Sequence, residues 1–487
     1  MNSKKTVLLT GATGNMGMAA LEFFRQRRDR YRIVALVLPT PGDRKRIAPY
    51  QKRGDVEVVW GDLTRYDDVL SCVTGADVVL HVGGMVSPMA DHHPALTTKV
   101  NVGSIRHIVQ AIKAQPDPDR VRLVYIGTVA QTGNRMAPIH WGRVGDPVKI
   151  SMFDNYAVSK NIAESIVVDS GLKYWVSLRQ TGMAHVNLWR IFDPILFHNP
   201  LNGVLEWVTA RDSGRLLANV CEDAVPEAFW NRIHNVGGGG GCRVVNHEFM
   251  AKMFNATGTR DFRKVFDPDW FALRNFHGQW YADSDRLHEL VPFRSESLDD
   301  FMRQMADAVP FYIKLGGYFP GAVKKRIGAL AAGPGGPLHW LAHGDDEHIA
   351  AYFGSRAAHG RIKGWNDQTL TRPSATPLLL SHGYDEAQPR DALSLADLRD
   401  AAAFRGGQLA DADMAKGDWA TPRNWDCGQG HRFRASPNLV LMGGHWCPEC
   451  THAPARYAGL AKRSAFFRQV WAPDQALVMS PDLAAAA

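Results

Sequence analysis

Short continuous runs of apolar, mostly β-branched residues alternate with stretches of helical period through the first third of the chain. Thr6-Val7-Leu8-Leu9, Ile33 through Val37, Val56 through Val59, Asp77 through His81 and Leu123 through Ile126 are the strand-like runs, and Trp175 through Leu178 follows them. Runs without polar alternation suit strands buried on both faces, as in a parallel sheet covered by helices. The pattern therefore predicts an α/β architecture, a doubly wound parallel sheet of right-handed βαβ units. A helix is expected over about 155–170. From about 182 to 320 the period weakens and aromatics accumulate, as expected of a small substrate lobe.

Two shifts divide the rest. Ala329 through Pro337 is small and helix-breaking, and prolines recur from Arg372 to Arg390 without a steady period. Ser394 is a plausible N-cap, with Asp397 three residues on. The expected organisation is 1–328 as the sheet domain with its lobe, 329–400 as a connecting segment and 401–487 as a small C-terminal module. Ala484 through Ala487 read as a frayed end.

Composition narrows the class. With 45% hydrophobic and 22% charged residues in 487, the chain is globular, and wholesale disorder is excluded. A net charge of +7 permits an anionic ligand without arguing for nucleic acid. No apolar run reaches the ~18 residues a membrane span needs. Met1 through Lys5 lead straight into the first strand, so no signal peptide is expected. Six cysteines in this length make no disulfide framework, and a cytoplasmic protein with reduced thiols is expected.

The first strand runs into Thr10-Gly11-Ala12-Thr13-Gly14-Asn15-Met16-Gly17 and then an apolar helix. Glycines at a strand–helix junction let a pyrophosphate approach the backbone, and the first helical amides face it. The end of the second strand, Leu36-Val37-Leu38-Pro39, lacks the carboxylate that would hold ribose hydroxyls, and Arg44-Lys45-Arg46 follow. This favours NADP over NAD, the alternative being a solvated basic loop. Asp62-Leu63 after the third strand falls where an adenine contact belongs. Tyr156 and Lys160, four apart, share one helix face, and Thr128 ends the fifth strand. These supply a proton donor, a cation that lowers its pKa and a hydroxyl that orients a carbonyl or alcohol.

With the glycine motif, this set resembles the extended short-chain dehydrogenase/reductase superfamily, in its NAD(P)-dependent epimerase/dehydratase-like branch, over about residues 5–320. The motifs stand in family order: TGATGNMG at 10–17, GDL at 61–63, His81 through Gly84, Val100 through Gly103, Tyr125 through Thr128, Tyr156/Lys160, Leu178 through Gly182 and Asn235 through Gly239. The resemblance implies a Rossmann fold with Tyr156 as acid–base residue, Lys160 on the nicotinamide ribose and Thr128 in place of the usual serine. Asn101 would support the lysine or the helix. Gly83, Gly84 and Thr181 would lie near the cofactor, the two glycines leaving extra room. Val129-Ala130 replace the acidic pair of the family's dehydratases, which argues against dehydration. Leu188 through His198 is apolar and aromatic, which suits an apolar or aromatic substrate, or else simply packs the lobe.

Near the C-terminus, Cys427, His431, Cys447 and Cys450 supply four ligands, enough for a closed, structural zinc shell. The stretch resembles treble-clef zinc-ribbon modules over about 419–455. Cys427 and His431 stand one residue further apart than that pattern carries, which leaves His445 and His452 as substitutes. No long basic stripe accompanies it, so a stabilising or dimerising module is expected rather than a nucleic-acid reader. Cys72, Cys221 and Cys242 are expected to be buried and inert. Aromatics and cations interleave from Phe311 to Arg326, which reads as an amphipathic segment packed on the first domain, a membrane-surface element or an active-site cover.

The function expected is an NAD(P)-dependent oxidoreductase acting on a small-molecule carbonyl or secondary alcohol, with homodimerisation open. The alternatives are a nucleotide-sugar-type epimerase and a non-catalytic NADP(H)-sensing regulator whose zinc module binds nucleic acid or a partner.

Overall fold

The computed structural model describes residues 4–479, so Met1 through Ser3 and the expected frayed end at Ala484 through Ala487 lie outside the described residues. Seven parallel strands form the central sheet: β1 (Lys5–Thr10), β2 (Tyr31–Val37), β3 (Glu57–Trp60), β4 (Val78–His81), β5 (Arg122–Thr128), β6 (Tyr174–Gln180) and β7 (Arg232–Val236). Their order is β7-β6-β5-β4-β1-β2-β3, the doubly wound Rossmann arrangement. Strand β7 had no legible run of its own, because its polar His234 and Asn235 interrupt the apolar pattern.

The helices that matter for the site are α1 (Asn15–Arg25), α2 (Pro41–Lys52), α3 (Pro94–Lys113) and α4 (Asn155–Val168). Each follows a strand, so its start lies at the C-terminal edge of the sheet. Asp154 caps α4, its carboxylate accepting from Ala157 N at 2.7 Å. The stretch 329–400 carries the short helices Pro337–His343 and Asp346–Phe353, which pack on the substrate lobe. The helix expected after Ser394 spans Leu395–Phe404, with Ser394 and Asp397 forming a capping box.

A three-stranded antiparallel sheet of Gly407–Leu409, Arg423–Cys427 and Arg432–Ala435 opens the C-terminal module. This module does not stand apart. Val440 and Leu441 are fully buried in the same apolar cluster as Tyr125 of β5 and Ile233 of β7. Polar bonds cross the same junction: Arg179 donates to Gly443 O at 2.6 Å, and Ile150 N donates to the Tyr457 hydroxyl at 3.0 Å. Cys72, Cys221 and Cys242 are buried and unpaired. Among the described residues no helix is long and apolar enough to cross a membrane.

Candidate active site and metal centre

At the end of β1 the chain turns through Gly11, whose φ of +67° is a left-handed conformation. A Cβ there would come within 2.7 Å of Gly83 N, so the β1 and β4 loops can touch only because position 11 is glycine. A Cβ on Gly17 would overlap the Gly11 carbonyl. Gly14 is the extended N-cap of α1, and no side chain caps that end. The amides of Asn15, Met16 and Gly17 therefore offer an anion site strengthened by the helix dipole.

The basic triplet sits on α2, beside this loop, but with company that the sequence reading missed. Thr13 Oγ1 donates to Asp43 Oδ1 at 2.7 Å, and Arg46 donates to Thr13 O at 3.3 Å. Arg44 lies over the Trp60 ring at 4.2 Å. The end of β2 carries no carboxylate, as expected, but Asp43, at the third position of α2, reaches back to the glycine loop. Its signal was the Thr40–Asp43 spacing of a helix cap, which reads as structural.

Asp62 Oδ1 accepts from Thr64 N at 2.8 Å, fixing the turn after β3. A Cβ on Gly83 would meet Leu63 Cδ1 at 2.7 Å, and one on Gly84 would meet Asn101 Oδ1 at 2.8 Å. The extra room expected at Gly83-Gly84 is therefore taken up by the protein's own side chains. Asn101, on α3, accepts from Met85 N at 2.8 Å and donates to Ser159 Oγ at 2.9 Å. It ties the β4 loop to α4 one residue before Lys160. Thr181 is buried just past the end of β6.

Thr128 ends β5 and Tyr156 lies in the first turn of α4, both at the C-terminal edge of the sheet. Burial pushes the Tyr156 hydroxyl up to about 12, against the lowering effect of Thr128, and Asp154 and Asp91 add to the rise. Lys160 donates to Ile126 O at 2.5 Å and lies over the Tyr125 ring at 4.4 Å. Burial lowers Lys160 to about 7, with Glu164 opposing. The expected lowering of Tyr156 by Lys160 is corrected here: loss of hydration outweighs a cation that is turned toward a backbone carbonyl.

At the start of α4 lies a cavity of about 310 Å³, walled by Asp91, Phe153, Asp154, Asp193, His198, Phe276, His277, Trp340 and Tyr352; Asn155 is part of its wall, and Tyr156 itself is not. Part of the Leu188–His198 stretch does reach it, whereas Phe197 packs the lobe core. Trp340 and Tyr352 come from the segment expected to be a mere connection. Phe153, just before α4, adopts a φ of +66°. Burial raises Asp91, with the Asp154 charge adding to it, and lowers His198 to about 4.

In the C-terminal module, Cys427, His431, Cys447 and Cys450 converge with all ligand atoms within 4.8 Å. His431 Nδ1 is 3.4 Å from each sulfur, and the Cys427 and Cys450 sulfurs are 3.9 Å apart. Tetrahedral zinc with Zn–S near 2.3 Å and Zn–N near 2.0–2.1 Å requires edges of about 3.6 Å for S···N and about 3.8 Å for S···S. The residues fit. His431 Nε2 faces Glu449 at 3.4 Å. The substitutes are otherwise engaged: His445 Nε2 pairs with Glu164 at 2.8 Å, and His452 Nε2 with Asn161 Oδ1 at 2.8 Å.

Comparison with known proteins agrees with the Rossmann fold. Mouse and human 3 beta-hydroxysteroid dehydrogenase type 7 are 25% and 26% identical to it over 168 and 174 residues, 34% of this chain in each case. The chain spans under half the length of these curated relatives, 44% and 45%. The Bacillus anthracis dTDP-glucose 4,6-dehydratase, solved in complex with NAD, shares the fold with a TM-score of 0.50 at 13% identity. That match covers 62% of this chain and 96% of the dehydratase. The sequence of residues 7–184 matches the NAD dependent epimerase/dehydratase family. Over that segment, with its glycine loop, β5 edge and Tyr156/Lys160 helix, the chain is similar to the NAD dependent epimerase/dehydratase family.

Proposed function

We propose that residues 1–328, with Trp340 and Tyr352 of the following segment in the cavity wall, form an NAD(P)-dependent oxidoreductase that acts on a carbonyl or secondary alcohol of an apolar or aromatic substrate. The carrying observation is that Thr128 at the end of β5 and Tyr156 in the first turn of α4 stand at the same sheet edge as the uncapped start of α1. Gly11, Thr13, Gly14, Asn15, Met16 and Gly17 would bind the pyrophosphate. Arg44, Asp62 and Leu63 would take the adenosine end, and Gly83, Gly84, Lys160 and Thr181 the nicotinamide end. The fit rests on the uncapped α1 amides and on a glycine cradle that any Cβ would fill.

A nicotinamide dinucleotide, when bound, supplies or accepts the hydride. Tyr156 gives or takes the proton at the substrate oxygen, and Thr128 orients that oxygen by hydrogen bonding. Lys160, poised near 7, would hold the nicotinamide ribose. Asn101 acts as a positioning residue through Ser159. Aromatic walls at Phe153, Phe276, Trp340 and Tyr352 support an apolar substrate, and the dehydrogenase name of the curated relatives supports an alcohol on an apolar body.

The same proposal gives the Cys427/His431/Cys447/Cys450 tetrad to one structural zinc ion, its four protein ligands leaving no position for substrate. It also takes 1–328, 329–400 and 401–487 as the domain division. The test is a cofactor-linked assay on apolar secondary alcohols and ketones, with Tyr156→Phe as control. A panel turned over no faster by the parent than by Tyr156→Phe would count against the reading.

A further inference from the structure

Among the described residues, eight of the fourteen exposed large apolar side chains fall in two short segments, 186–192 and 311–319. Phe311, Tyr312, Tyr318 and Phe319 are 76%, 61%, 79% and 66% exposed, so they protrude rather than lie flush. Isolated exposed apolar groups are ordinary; a contiguous set this large marks an interaction surface.

The segment is nevertheless firmly seated. Ile313 packs on the lobe core and Ile327 is buried in it. A Cβ on Gly317 would overlap the Gly258 carbonyl, so the turn is pressed directly against the end of the neighbouring helix. The inward positions are filled without the aromatics, which leaves these free to face outward. Arg326 lies over the Phe192 ring at 5.4 Å and joins the two segments into one face.

Charge selects the occupant. Residues 309–331 contain Lys314, Lys324, Lys325 and Arg326 and no Asp or Glu, and Arg190 lies in the companion segment. Lys324 is held by Asp267 at 2.7 Å, while Lys325 and Arg326 are exposed. A two-fold dimer through this face would set these cations against their own copies, with no carboxylate in either segment to answer them. Protruding Phe and Tyr rings rimmed by Lys and Arg instead match a headgroup layer, which takes rings into its boundary and binds cations electrostatically.

We infer that the protein docks on anionic lipid surfaces through the face formed by Phe192, Phe311, Tyr312, Tyr318 and Phe319, with Lys325 and Arg326 at its rim. The two segments continue into the cavity wall, at Asp193–Ile195 and Pro334–Gly335, so docking sets the cavity beside the lipid. Docking itself does not depend on the proposed reaction.

The experiment is flotation of the full chain with vesicles of phosphatidylcholine alone and of phosphatidylcholine with phosphatidylglycerol. Binding is expected to the anionic vesicles, weaker to the neutral ones and declining with added salt. Lys325→Glu and Arg326→Glu should each weaken binding by about fivefold or more, since one basic side chain at such a surface contributes roughly that factor. The triple variant Phe311→Ser/Tyr318→Ser/Phe319→Ser should abolish it while keeping the parent's thermal melt. No binding to anionic vesicles, or binding unchanged in these variants, would overturn the inference. So would a parent dimer that the triple variant disperses without any vesicle binding, because the face would then be a self-interface.

Discussion

Glu164 Oε2 and His445 Nε2 lie 2.8 Å apart in the interior, joining the helix that carries Tyr156 and Lys160 to the C-terminal module 281 residues further along the chain. Glu164 also accepts from Arg179 at 2.7 Å, Ser177 Oγ at 2.6 Å and Gln131 Nε2 at 2.7 Å. Burial would raise this carboxyl, but Arg179 and His445 outweigh it and hold Glu164 far below the usual range. Such a charge is tolerated because nearly every lone pair is answered.

Removing one partner should therefore be costly. His445→Ala is expected to destabilise the chain by about 2–4 kcal/mol, the range for leaving a buried charge partly unanswered. Urea denaturation would check this. A loss under ~0.5 kcal/mol would mean that Arg179 alone satisfies Glu164.

Tyr156→Phe should lower turnover by ~10²–10⁴-fold, the usual cost of one acid–base group, with cofactor affinity nearly unchanged. Thr128→Val should cost less, because it removes an orienting hydroxyl and not the proton donor. Steady-state rates beside cofactor titrations separate the two effects.

Cofactor choice rests on opposing charges near Thr13. NADPH is expected to bind more tightly than NADH, and Arg44→Ala should erase the difference. Asp43→Asn should widen it, since the Asp43 carboxylate beside Thr13 repels a 2′-phosphate. Equal parent affinities would refute the preference for NADP.

Elemental analysis should find about one zinc per chain, and Cys447→Ser or Cys450→Ser should bring it toward zero. Val440 and Leu441 share a core cluster with the central sheet, so metal loss should lower the melting temperature of the whole chain in one transition. A separate early transition would show that the module unfolds on its own.

His81 gives a pH signature. It lies buried between Thr10 Oγ1 at 2.9 Å and Ser104 Oγ at 3.1 Å, and burial lowers its pKa to about 3, with Lys160 adding to the effect. The unfolded chain takes up this proton near pH 6.5 while the folded one resists, so the contribution is whole above that pH. It is lost as pH falls toward 3, at up to ~1.4 kcal/mol per pH unit. Urea denaturation at pH 7 and pH 5 should show a smaller decline in His81→Asn than in the parent. Equal declines would exclude His81 as the source.

The sequence by itself determined what local chemistry determines. Apolar runs made six of the seven sheet strands legible, the glycines of 11–17 marked the strand–helix turn, and Ser394 with Asp397 marked a helix start. The Cys427, His431, Cys447 and Cys450 cluster was readable because the spacing of such ligand pairs is local; only the choice among His431, His445 and His452 waited on geometry. Tertiary structure decided everything that depends on burial and on distant partners. Tyr156 and Lys160 could be found four residues apart, but not that desolvation would raise one and lower the other. Glu164 follows Lys160 by another helical turn, but that spacing says nothing of Arg179 and His445, which only the fold brings around it. Asp43 reaches Thr13 only because α2 packs beside the glycine loop. The cavity gathers Asp91, Asp154, His198 and Tyr352 from segments with no common pattern, because a cavity is enclosed by packing and leaves no period in the chain.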